Sequence, residues 1–562
     1  MNEHVQKIKN LLTNIYGDEK GGKALHRIMP LIEAFPRRPE TKSSYFSQED
    51  VVLITYGDTL NHPGETPLKT LNRFLTSRLK QVFSTVHFLP FFPFSSDDGF
   101  SVMDFFNINP ELGSWEDVDA IGREFNLMFD YVVNHFSSQS EWFQNYLDEK
   151  KGFEEFAIAV DPAADLSMVT RPRSLPLLSP YRKRSGAPVK LWTTFSADQI
   201  DFNFQSLDVL EKMVAVLLHY VDNGASILRL DAIAYLWKEM GTACIHLPKT
   251  HAMVKLLRCI LDLTAPDVII LTETNVPHAE NISYFGSKGD EAQMVYNFTL
   301  PPLLLHAFTT QDASFLSNWA KTMHLEGQDT TFFNFTASHD GIGVRPLEGI
   351  LEPAEIDQMV KLVEAHDGKV SFKNNPDGSK SPYELNITFV DAILADEKEM
   401  AAPKFMASQA IQYVLPGVPA TYIHSLLGSR NWVAGVLQTK RARTINREKL
   451  FLQKVESDLD DAASFRAEVF QAYCRLIKIR RKQPAFHPKA GFEILDAGRH
   501  VFAIKRHCDE QQIVALTNIS RRKQSIKLKG INLSGSHLDL ITGKTVNGNT
   551  IELGPYQYQW LV

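Results

Sequence analysis

The sequence predicts an α/β fold, a closed (β/α)8 TIM barrel of parallel strands, on three observations. Short apolar runs of strand length recur between helical stretches, and eight of them can be counted along the chain. Three runs end in an acidic residue, namely Asp231, Glu273 and Asp340. The carboxyl ends of barrel strands meet at one rim, which is where such barrels hold their functional residues. The chain of 562 residues also exceeds what one core usually organises, so we expect further domains around the barrel.

The eight predicted strands are rich in β-branched and aromatic residues, which suits strands that are buried on both faces. Because eight such strands alternate with helical segments, a closed barrel is favoured over an open sheet. The predicted strands are residues 51–56, 86–90, 127–135, 227–231, 268–273, 294–298, 331–340 and 419–423.

The remaining segments predict an extension, two insertions and a C-terminal domain. Two connections that leave the predicted rim are far longer than the usual length of about 2–6 residues, so we expect both to roof a pocket. After the last helix the pattern alternates, with a turn at 541–544, which indicates an antiparallel β domain. The predicted boundaries are 1–48 for an N-terminal helical extension, 49–135, 206–340 and 404–486 for the barrel, 136–205 and 341–403 for two inserted rim domains, and 487–562 for the β domain, with strands at 501–505, 513–517, 525–528, 538–541 and 558–562.

Charge, cysteine content and hydropathy argue against several functional classes. Lys and Arg number 59 against 66 Asp and Glu, a net charge of −7 without a basic block, so we expect no nucleic-acid partner. The four cysteines lack a CxxC pair, and no HExxH motif or calcium-loop pattern occurs, so we expect no disulfide framework and no metal. No signal peptide and no apolar run of roughly 18 residues is present, which predicts a cytoplasmic protein without membrane contact.

Four short motifs stand at the ends of predicted strands: DYVVNH (130–135), RLDA (229–232), Glu273 and HD (339–340). Together and in this order they resemble the four signatures of the α-amylase family, glycoside hydrolase family 13. Further segments resemble its sucrose phosphorylase branch, namely HFLPFF (87–92), DGF (98–100), LGSW (112–115), RPR (171–173), HDGIG (339–343) and LPGVP (415–419). Within that branch the N-terminal extension and three more segments are most similar to glucosylglycerate phosphorylases. These segments are ETNVPH (273–278), KNNPDG (373–378) and SPYE (381–384).

The resemblance implies a retaining glycoside phosphorylase that works by double displacement through a covalent glucosyl intermediate on Asp231. Glu273 resembles the acid/base of the family, and Asp340 resembles its third carboxylate, which stabilises the transition state. A retaining enzyme needs such a pair of carboxyl groups, one to attack and one to protonate the leaving oxygen. Arg229 lies two residues before Asp231 on the same strand face, where its charge favours the ionised nucleophile. Inorganic phosphate is the implied co-substrate, and no cofactor is expected.

The resemblance also implies two groups of binding residues. Those implied for the glucose unit are Asp97, His135, Phe195, Arg229, His339 and Arg447. Arg173 and Tyr235 match positions that bind phosphate in the branch, and guanidinium suits phosphate by its fork geometry. Further candidates for the acceptor, chosen by their nearness to the motifs, are Arg171, Lys238, Asn275, Arg345 and Glu384.

The acceptor is open at this stage, because its selectivity depends on loops. Glycerate is favoured, and fructose, fructose 6-phosphate and glycerol are the alternatives, so a sucrose, sucrose 6'-phosphate or glucosylglycerol phosphorylase is also compatible with the motifs. A different class is a non-catalytic, amylase-like binding subunit, since a fold alone never establishes catalysis. Such relatives usually lose a carboxylate, whereas this chain has all three. The expected partners are a small glucoside and phosphate, with a homodimer as is common among similar proteins.

Overall fold

The computed structural model contains a closed barrel of eight parallel strands, which confirms the predicted fold class. It describes residues 2–41, 43–161, 163–287, 289–325, 327, 329–375, 378–528, 535–548 and 550–562. The barrel strands are β1 (Val52–Thr55), β2 (Thr85–Phe88), β3 (Asn126–Tyr131), β4 (Ala225–Leu230), β5 (Ile269–Thr272), β6 (Met294–Tyr296), β7 (Thr331–Phe335) and β8 (Val418–Tyr422). Each strand pairs with the next along the chain, and β8 closes the barrel on β1, where Val52 is opposite Ala420.

Two of the three acidic residues follow their strands directly, and the third does not. Asp231 and Glu273 are the first residues after β4 and β5. The predicted strand through 340 is too long, because β7 ends at Phe335 and Asp340 lies in the following loop. Asn446 donates to the carbonyl of Ser338 at 2.6 Å, so a side chain replaces the strand ladder there. The predicted strand 127–135 is likewise too long, since β3 ends at Tyr131.

Helices alternate with the strands and surround the barrel. Two of them begin at Pro67 and Pro248, where proline suits the first helical turn because the N–H that it lacks would be unpaired there. The longer helices are Pro67–Phe74, Trp115–Gly122, Leu207–Asp222, Pro248–Thr264, Leu300–Thr310, Ala401–Val414, Leu452–Asp460 and Phe465–Arg480. Shorter ones are His278–Ile282, Ser314–Ala320, Phe389–Leu394, Ile423–Leu426 and Val433–Thr439.

The N-terminal extension is helical, as predicted, and consists of helices Asn2–Tyr16 and Asp18–Ala34. Its apolar side chains are buried in the main hydrophobic core, Ile8 and Ile28 among them. Arg27 pairs with Glu211 of a barrel helix at 2.6 Å. The extension therefore belongs to the outer wall of the barrel. None of its described residues lines the cavity that lies at the rim where the strands end.

Both long connections form small antiparallel structures. After β3, strand His135–Ser137 pairs with Gln199–Asp201, and Leu178–Arg182 pairs with Pro188–Trp192. After β7, strands Ile342–Gly343, Lys369–Asn374 and Lys380–Asn386 form a three-stranded sheet. The helices of these segments are Glu141–Leu147 and Pro353–Ala365. Pro376 and Asp377 of the segment 373–378 lie outside the described residues.

The C-terminal segment is antiparallel, as predicted. Its main sheet contains Gly491–Ile494, Val501–His507, Gln512–Asn518 and Tyr558–Leu561, and two smaller pairs join Gln524–Ile526 to Ile551–Leu553 and Ser536–Leu538 to Thr545–Asn547. The predicted strands 525–528 and 538–541 extend too far, and the sequence pattern missed the strands that begin at 491, 545 and 551. The exact domain boundaries stay a prediction.

Two fully buried arginines join the last barrel helices to this segment. Arg480 donates to the carbonyls of Tyr413 and Phe486 at 3.0 and 3.1 Å. Arg506 donates to the carbonyl of Val414 at 2.9 Å. Helix Ala401–Val414 ends here, so the two guanidinium groups satisfy carbonyls that a helix end leaves unpaired.

We expect Arg480→Met to lower the free energy of unfolding by about 2–4 kcal/mol, because each buried carbonyl left unpaired costs about 1–3 kcal/mol. Urea denaturation followed by tryptophan fluorescence would measure the change. Lys478→Met, at an exposed position of the same helix, is the matched control and should change stability little. Equal effects of the two substitutions would contradict the role given to Arg480.

Candidate active site

Asp231 and Glu273 meet at the rim around one buried arginine. Arg229 Nη1 donates to Asp231 Oδ1 at 2.8 Å, and its Nη2 lies 4.0 Å from Glu273 Oε2. The backbone N–H of Ala232 donates to the same Glu273 oxygen at 3.0 Å. Because β4 and β5 are paired in parallel, with Leu230 opposite Thr272, the residues that follow them stand side by side. Both carboxyl groups line one cavity at the rim.

The two carboxyl groups differ in their electrostatic surroundings. Burial raises the pKa of Glu273 to about 7, with Arg229 opposing the shift and the charges of Asp231 and Asp340 adding to it. Burial also raises the pKa of Asp231, against the nearby charge of Arg229, which holds it by a direct hydrogen bond. Glu273 is therefore suited to carry a proton near neutral pH, whereas Asp231 receives the direct hydrogen bond from Arg229 that favours the ionised form of a carboxyl group.

Arg229 is supported from below by Asp130 and His87. The guanidinium pairs with Asp130, whose other oxygen is 2.8 Å from His87 Nε2. Both supporting side chains are fully buried. The guanidinium also lies over the rings of Tyr296 and Phe100, at 5.3 and 5.6 Å. Its orientation toward Asp231 is thus fixed by contacts on several sides.

Asp340 enters the cavity from the loop after β7 and is held by an arginine that the motifs did not reveal. Arg443 Nη1 lies 2.6 Å from Asp340 Oδ1. The same guanidinium makes a two-pronged contact with Glu384, at 2.8 and 2.9 Å. Burial alone would raise the pKa of Asp340, but Arg443 and Arg447 hold it below its usual value. Asp340 is therefore an anion, and Arg443 links it to the second inserted segment.

One end of the cavity contains Asp97, His135 and Gln199. Gln199 Nε2 lies 3.1 Å from His135 Nε2 and 3.5 Å from Asp97 Oδ2. The ring of Phe100 stacks on His339 at 4.6 Å, nearly parallel to it. Burial lowers the pKa of His339 well below its usual value, with Arg447 adding to the shift, so its imidazole is neutral. This end offers a carboxylate, an amide and two imidazoles to a ligand rich in hydroxyl groups.

The cavity wall also contains Arg173 together with two tyrosines, Tyr235 and Tyr383. Arg173 lies over the ring of Phe195 at 5.9 Å, and Phe195 packs edge-on against Tyr235 at 5.7 Å. The Nε atom of Arg173 is buried without a hydrogen-bond partner. Among the residues that the structure describes, no carboxylate lies within 4.0 Å of its guanidinium. A cation without a partner at the cavity wall is suited to an anionic ligand.

The structure brings most of the predicted site residues to this cavity and leaves four outside it. Arg171 is turned to the carbonyl of Leu175, four residues on, because its loop folds back on itself. Lys238 is buried behind the site, where it pairs with Asp201 and donates to Asn134 at 2.9 Å. These two positions correct the expectation that both would contact the acceptor. The predicted residues that do line the cavity are Asp97, His135, Arg173, Phe195, Arg229, Asp231, Tyr235, Glu273, Asn275, His339, Asp340 and Glu384.

Arg345 and Arg447 also lie behind the cavity wall rather than on it. Arg345 lies 3.7 Å from Glu280, and its charge opposes the rise that burial causes in the pKa of Tyr235, so it lies next to the Tyr235 side chain. Arg447 Nη1 pairs with Asp98 and lies 3.8 Å from Asp97. Arg447 is therefore nearer to Asp98 than to Asp97, which corrects the expectation that it would bind the glucose unit directly.

The lining residues that the sequence analysis did not predict include Gln199, Tyr383 and Arg443. Arg443 precedes Arg447 by one helical turn, which is a signal that the sequence offered, since such spacing places two side chains on one side of a turn. Tyr383 adjoins Glu384 in the strand Lys380–Asn386, but nothing in the sequence placed that strand over the rim. Gln199 carries no sequence signal.

In the described part of the chain, no group of three or more His, Cys, Asp or Glu side chains is arranged to hold a metal ion. No helix in the same residues is both long and apolar enough to cross a bilayer.

Comparison with known proteins agrees with the carboxylate cluster at the rim. Residues 79–342 match the family model of the α-amylase catalytic domain. The chain is 46% identical over 560 residues to a glucosylglycerate phosphorylase from Escherichia coli, covering 99% of this chain and 100% of that protein. It is 32% identical over 508 residues to a sucrose phosphorylase from Agrobacterium vitis, covering 86% of this chain and 98% of that protein.

A solved structure shows the same architecture. It is a sucrose 6F-phosphate phosphorylase from Thermoanaerobacter thermosaccharolyticum, with a TM-score of 0.75 at 25% identity, covering 90% of this chain and 99% of that one. Fold and site therefore define an amylase-type barrel enzyme. The chain belongs to the α-amylase family, glycoside hydrolase family 13, and within it to the glycosyltransferase-type glycoside phosphorylases.

The environment of Glu273 predicts a pH dependence. Cleavage that needs a protonated Glu273 should weaken as the pH rises through about 7, because the acid then loses its proton. The kcat/KM for a glucoside with an alkoxide leaving group should show this alkaline limb. The kcat/KM for α-glucosyl fluoride should not, since fluoride leaves without a proton.

Glu273→Gln tests the same assignment without a change of pH. It should slow cleavage of the glucoside by roughly a hundredfold or more, following the usual contribution of a general acid, and slow cleavage of the fluoride far less. Equal losses on the two substrates would show that Glu273 is not the proton donor.

Proposed function

We propose that the protein catalyses the reversible phosphorolysis of 2-O-α-glucosylglycerate to α-D-glucose 1-phosphate and D-glycerate. The reaction uses inorganic phosphate as co-substrate and no cofactor. It proceeds by double displacement through a covalent glucosyl–Asp231 intermediate. The observation that carries the proposal is Arg173, which pairs with no carboxylate among the described residues and whose Nε lacks a hydrogen-bond partner. It lies at the wall of a cavity that also holds the carboxyl pair Asp231 and Glu273.

In the first step the Asp231 carboxylate attacks the anomeric carbon and forms a C–O bond to it. The bond from that carbon to the glycerate oxygen breaks, and Glu273 gives its proton to the leaving oxygen. The pKa of Glu273, about 7, fits this donor role. Asp340 is an anion close to both groups and would stabilise the positive charge that develops on the sugar ring.

In the second step a phosphate oxygen attacks the anomeric carbon from the side that glycerate left. The bond to Asp231 breaks, the carboxylate is regenerated, and Glu273 takes the proton of the attacking phosphate oxygen. Two inversions at one carbon retain the α configuration, so the product is the α-phosphate.

The arginines around the cavity support transfer to phosphate over transfer to water. The other two arginines that line it, Arg229 and Arg443, are both paired with carboxylates, whereas Arg173 is not. Water needs no cation to hold it, but a phosphate dianion does, and a guanidinium can hold it by two parallel hydrogen bonds. The hydroxyls of Tyr235 and Tyr383 stand on the same side and can donate to further phosphate oxygens.

Glycerate is the acceptor that this anion site and the relatives favour together. Its carboxylate can replace phosphate at Arg173, whereas the uncharged acceptors fructose and glycerol cannot use that charge. The curated proteins that this chain matches at 45–46% identity over nearly its full length are glucosylglycerate phosphorylases. The unpartnered Oδ1 of Asn275 lies on the same cavity and can accept from a hydroxyl group of the acceptor.

The nucleophile is tested by trapping the intermediate. Asp231→Asn should lower kcat by a factor of thousands or more, as for other covalent catalysts, while circular dichroism shows an unchanged fold. Glu273→Gln treated with α-glucosyl fluoride should accumulate a glucosylated protein, and peptide mass spectrometry should locate the sugar on Asp231. A label on any other residue, or an Asp231→Asn enzyme that keeps more than a few per cent of activity, would refute the assignment.

The anion site is tested by Arg173→Ala. It should raise the KM for phosphate and, in the reverse direction, for glycerate by roughly ten- to a hundredfold, the worth of a hydrogen bond to a charged group. Hydrolysis of α-glucosyl fluoride needs no anion contact and should be spared. Arg173→Lys should recover only part of the loss, because an ammonium group lacks the planar fork.

Arg171→Ala is the matched control, because Arg171 lies in the same Arg-Pro-Arg loop but contacts the carbonyl of Leu175 outside the cavity. It should leave both KM values unchanged. If Arg173→Ala lowers hydrolysis and phosphorolysis alike, the loop is a structural tie and the anion site must lie elsewhere.

A further inference from the structure

The loop that carries Asp97 has an unusual backbone. Three consecutive residues have positive φ angles, 52° at Asp97, 49° at Asp98 and 109° at Gly99. A Cβ atom at Gly99 would lie 2.6 Å from the carbonyl oxygen of Pro90, so only glycine fits there. Asp97 and Asp98 adopt a left-handed backbone conformation, which residues with a Cβ atom disfavour. Such a conformation persists only where the surrounding structure holds it in place.

Asp198 supplies much of that enforcement. Its carboxylate accepts hydrogen bonds from Ser95 at 2.5 Å, from Ser101 at 2.9 Å and from Ser96. Its other oxygen accepts from Ser138 at 2.6 Å. Although burial alone would raise the pKa of Asp198, these hydroxyl donors hold it below its usual value, so the group is an ionised acceptor.

The four serines come from two different segments. Ser95 and Ser96 precede the turn at Asp97, and Ser101 follows it, so Asp198 holds both ends of the turn. Ser138 follows the strand His135–Ser137, which starts with a cavity residue. The residue after Asp198 is Gln199, which also lines the cavity. One carboxylate thus joins the three segments that form this end of the cavity.

Asp97 itself is held only loosely by its own side chain. Among the described residues, the nearest polar contacts of its carboxylate are Gln199 Nε2 at 3.5 Å and Arg447 Nη1 at 3.8 Å. Its position is therefore set by the backbone of the turn. We infer that Asp198 is a positioning residue, which fixes Asp97 for the sugar hydroxyl across the ring from the cleaved bond and so contributes to recognition of glucose.

This inference rests on the proposed function and is tested on the donor side. The substrates are α-glucosyl fluoride and its 4-deoxy analogue, which lacks the hydroxyl across the ring. The wild-type enzyme should favour the first. Asp198→Asn should lower that preference in kcat/KM by roughly ten- to a hundredfold, the worth of a hydrogen bond to a charged group. The 4-deoxy analogue should lose little, and the pH profile set by Glu273 should stay in place.

A double-mutant cycle with Asp97→Asn separates positioning from general damage. If Asp198 acts through Asp97, the loss from Asp198→Asn should largely vanish once Asp97 has been replaced. Ser96→Ala removes one donor only and should shift the preference in the same direction by less, which keeps the test valid if Asp198→Asn folds poorly.

Asp539→Asn is the control for losing a carboxylate that accepts several hydrogen bonds from neutral donors. The donors to Asp539 include Trp560 N at 3.1 Å and Thr542, but this residue lies in the C-terminal β segment. It should alter stability and leave the substrate preference unchanged. An Asp198→Asn enzyme with the wild-type preference, or additive losses in the cycle, would overturn the inference alone. A wild-type enzyme that does not distinguish the two fluorides would instead overturn the glucose subsite, and the inference with it.

Discussion

The guanidinium of Arg229 allows three acidic side chains to be packed at the mouth of an apolar barrel. An unpaired carboxylate costs several kcal/mol to bury, so Asp130, Asp231 and Glu273 could not stand together there without a cation. The barrel register supplies it, because Arg229 on β4 is directly opposite Asp130 on β3 and Leu271 on β5. The strands place the three carboxyl groups close together, and the positive charge of Arg229 offsets the cost of burying them there.

Arg229 also gives the two carboxyl groups of Asp231 and Glu273 different electrostatic surroundings. Asp231 receives a direct hydrogen bond from Arg229, whereas Glu273 stands at the edge of ion-pair distance and faces two other negative charges. Asp130 also forms an ion pair with Arg229, and His87 contacts the other oxygen of Asp130 within the barrel. The difference between the proposed nucleophile and the proposed acid thus arises from how the charge of Arg229 is shared between them.

The sequence was sufficient for the barrel and for two of its acids. Buried parallel strands are continuous apolar runs, so they stand out from the amphipathic helices between them, and an acid that ends such a run must lie at the rim. The loop of Asp340 was less accessible, because its backbone is held by Asn446 from a distant segment rather than by a ladder. Arg443 was missed for a similar reason, since its partners Asp340 and Glu384 come close only in the folded chain.

Lys238 and Arg173 show that the sequence position of a cation does not by itself predict whether it binds a ligand. Arg173 lies in a segment that resembles the sucrose phosphorylase branch, and Lys238 was chosen only because it lies near a family signature. Lys238 is buried against Asp201, which fixes the base of the first insertion, whereas Arg173 stays without a carboxylate at the cavity wall. Whether a cation is satisfied by the protein or available to a ligand depends on segments that are far apart in the chain.

The second insertion has a consequence for how such a site can diversify. Its first strand, Ile342–Gly343, begins just after Asp340 and pairs with the strand that carries Tyr383 and Glu384. The N–H of Gly341 donates to Glu384 at 2.6 Å, and Arg443 bridges from Glu384 to Asp340. The second insertion and the loop that carries Asp340 are therefore directly connected by these contacts. In the proposed mechanism Asp340 stabilises the sugar, so we expect a change in this insertion that admits a new acceptor to alter the rate of bond cleavage as well.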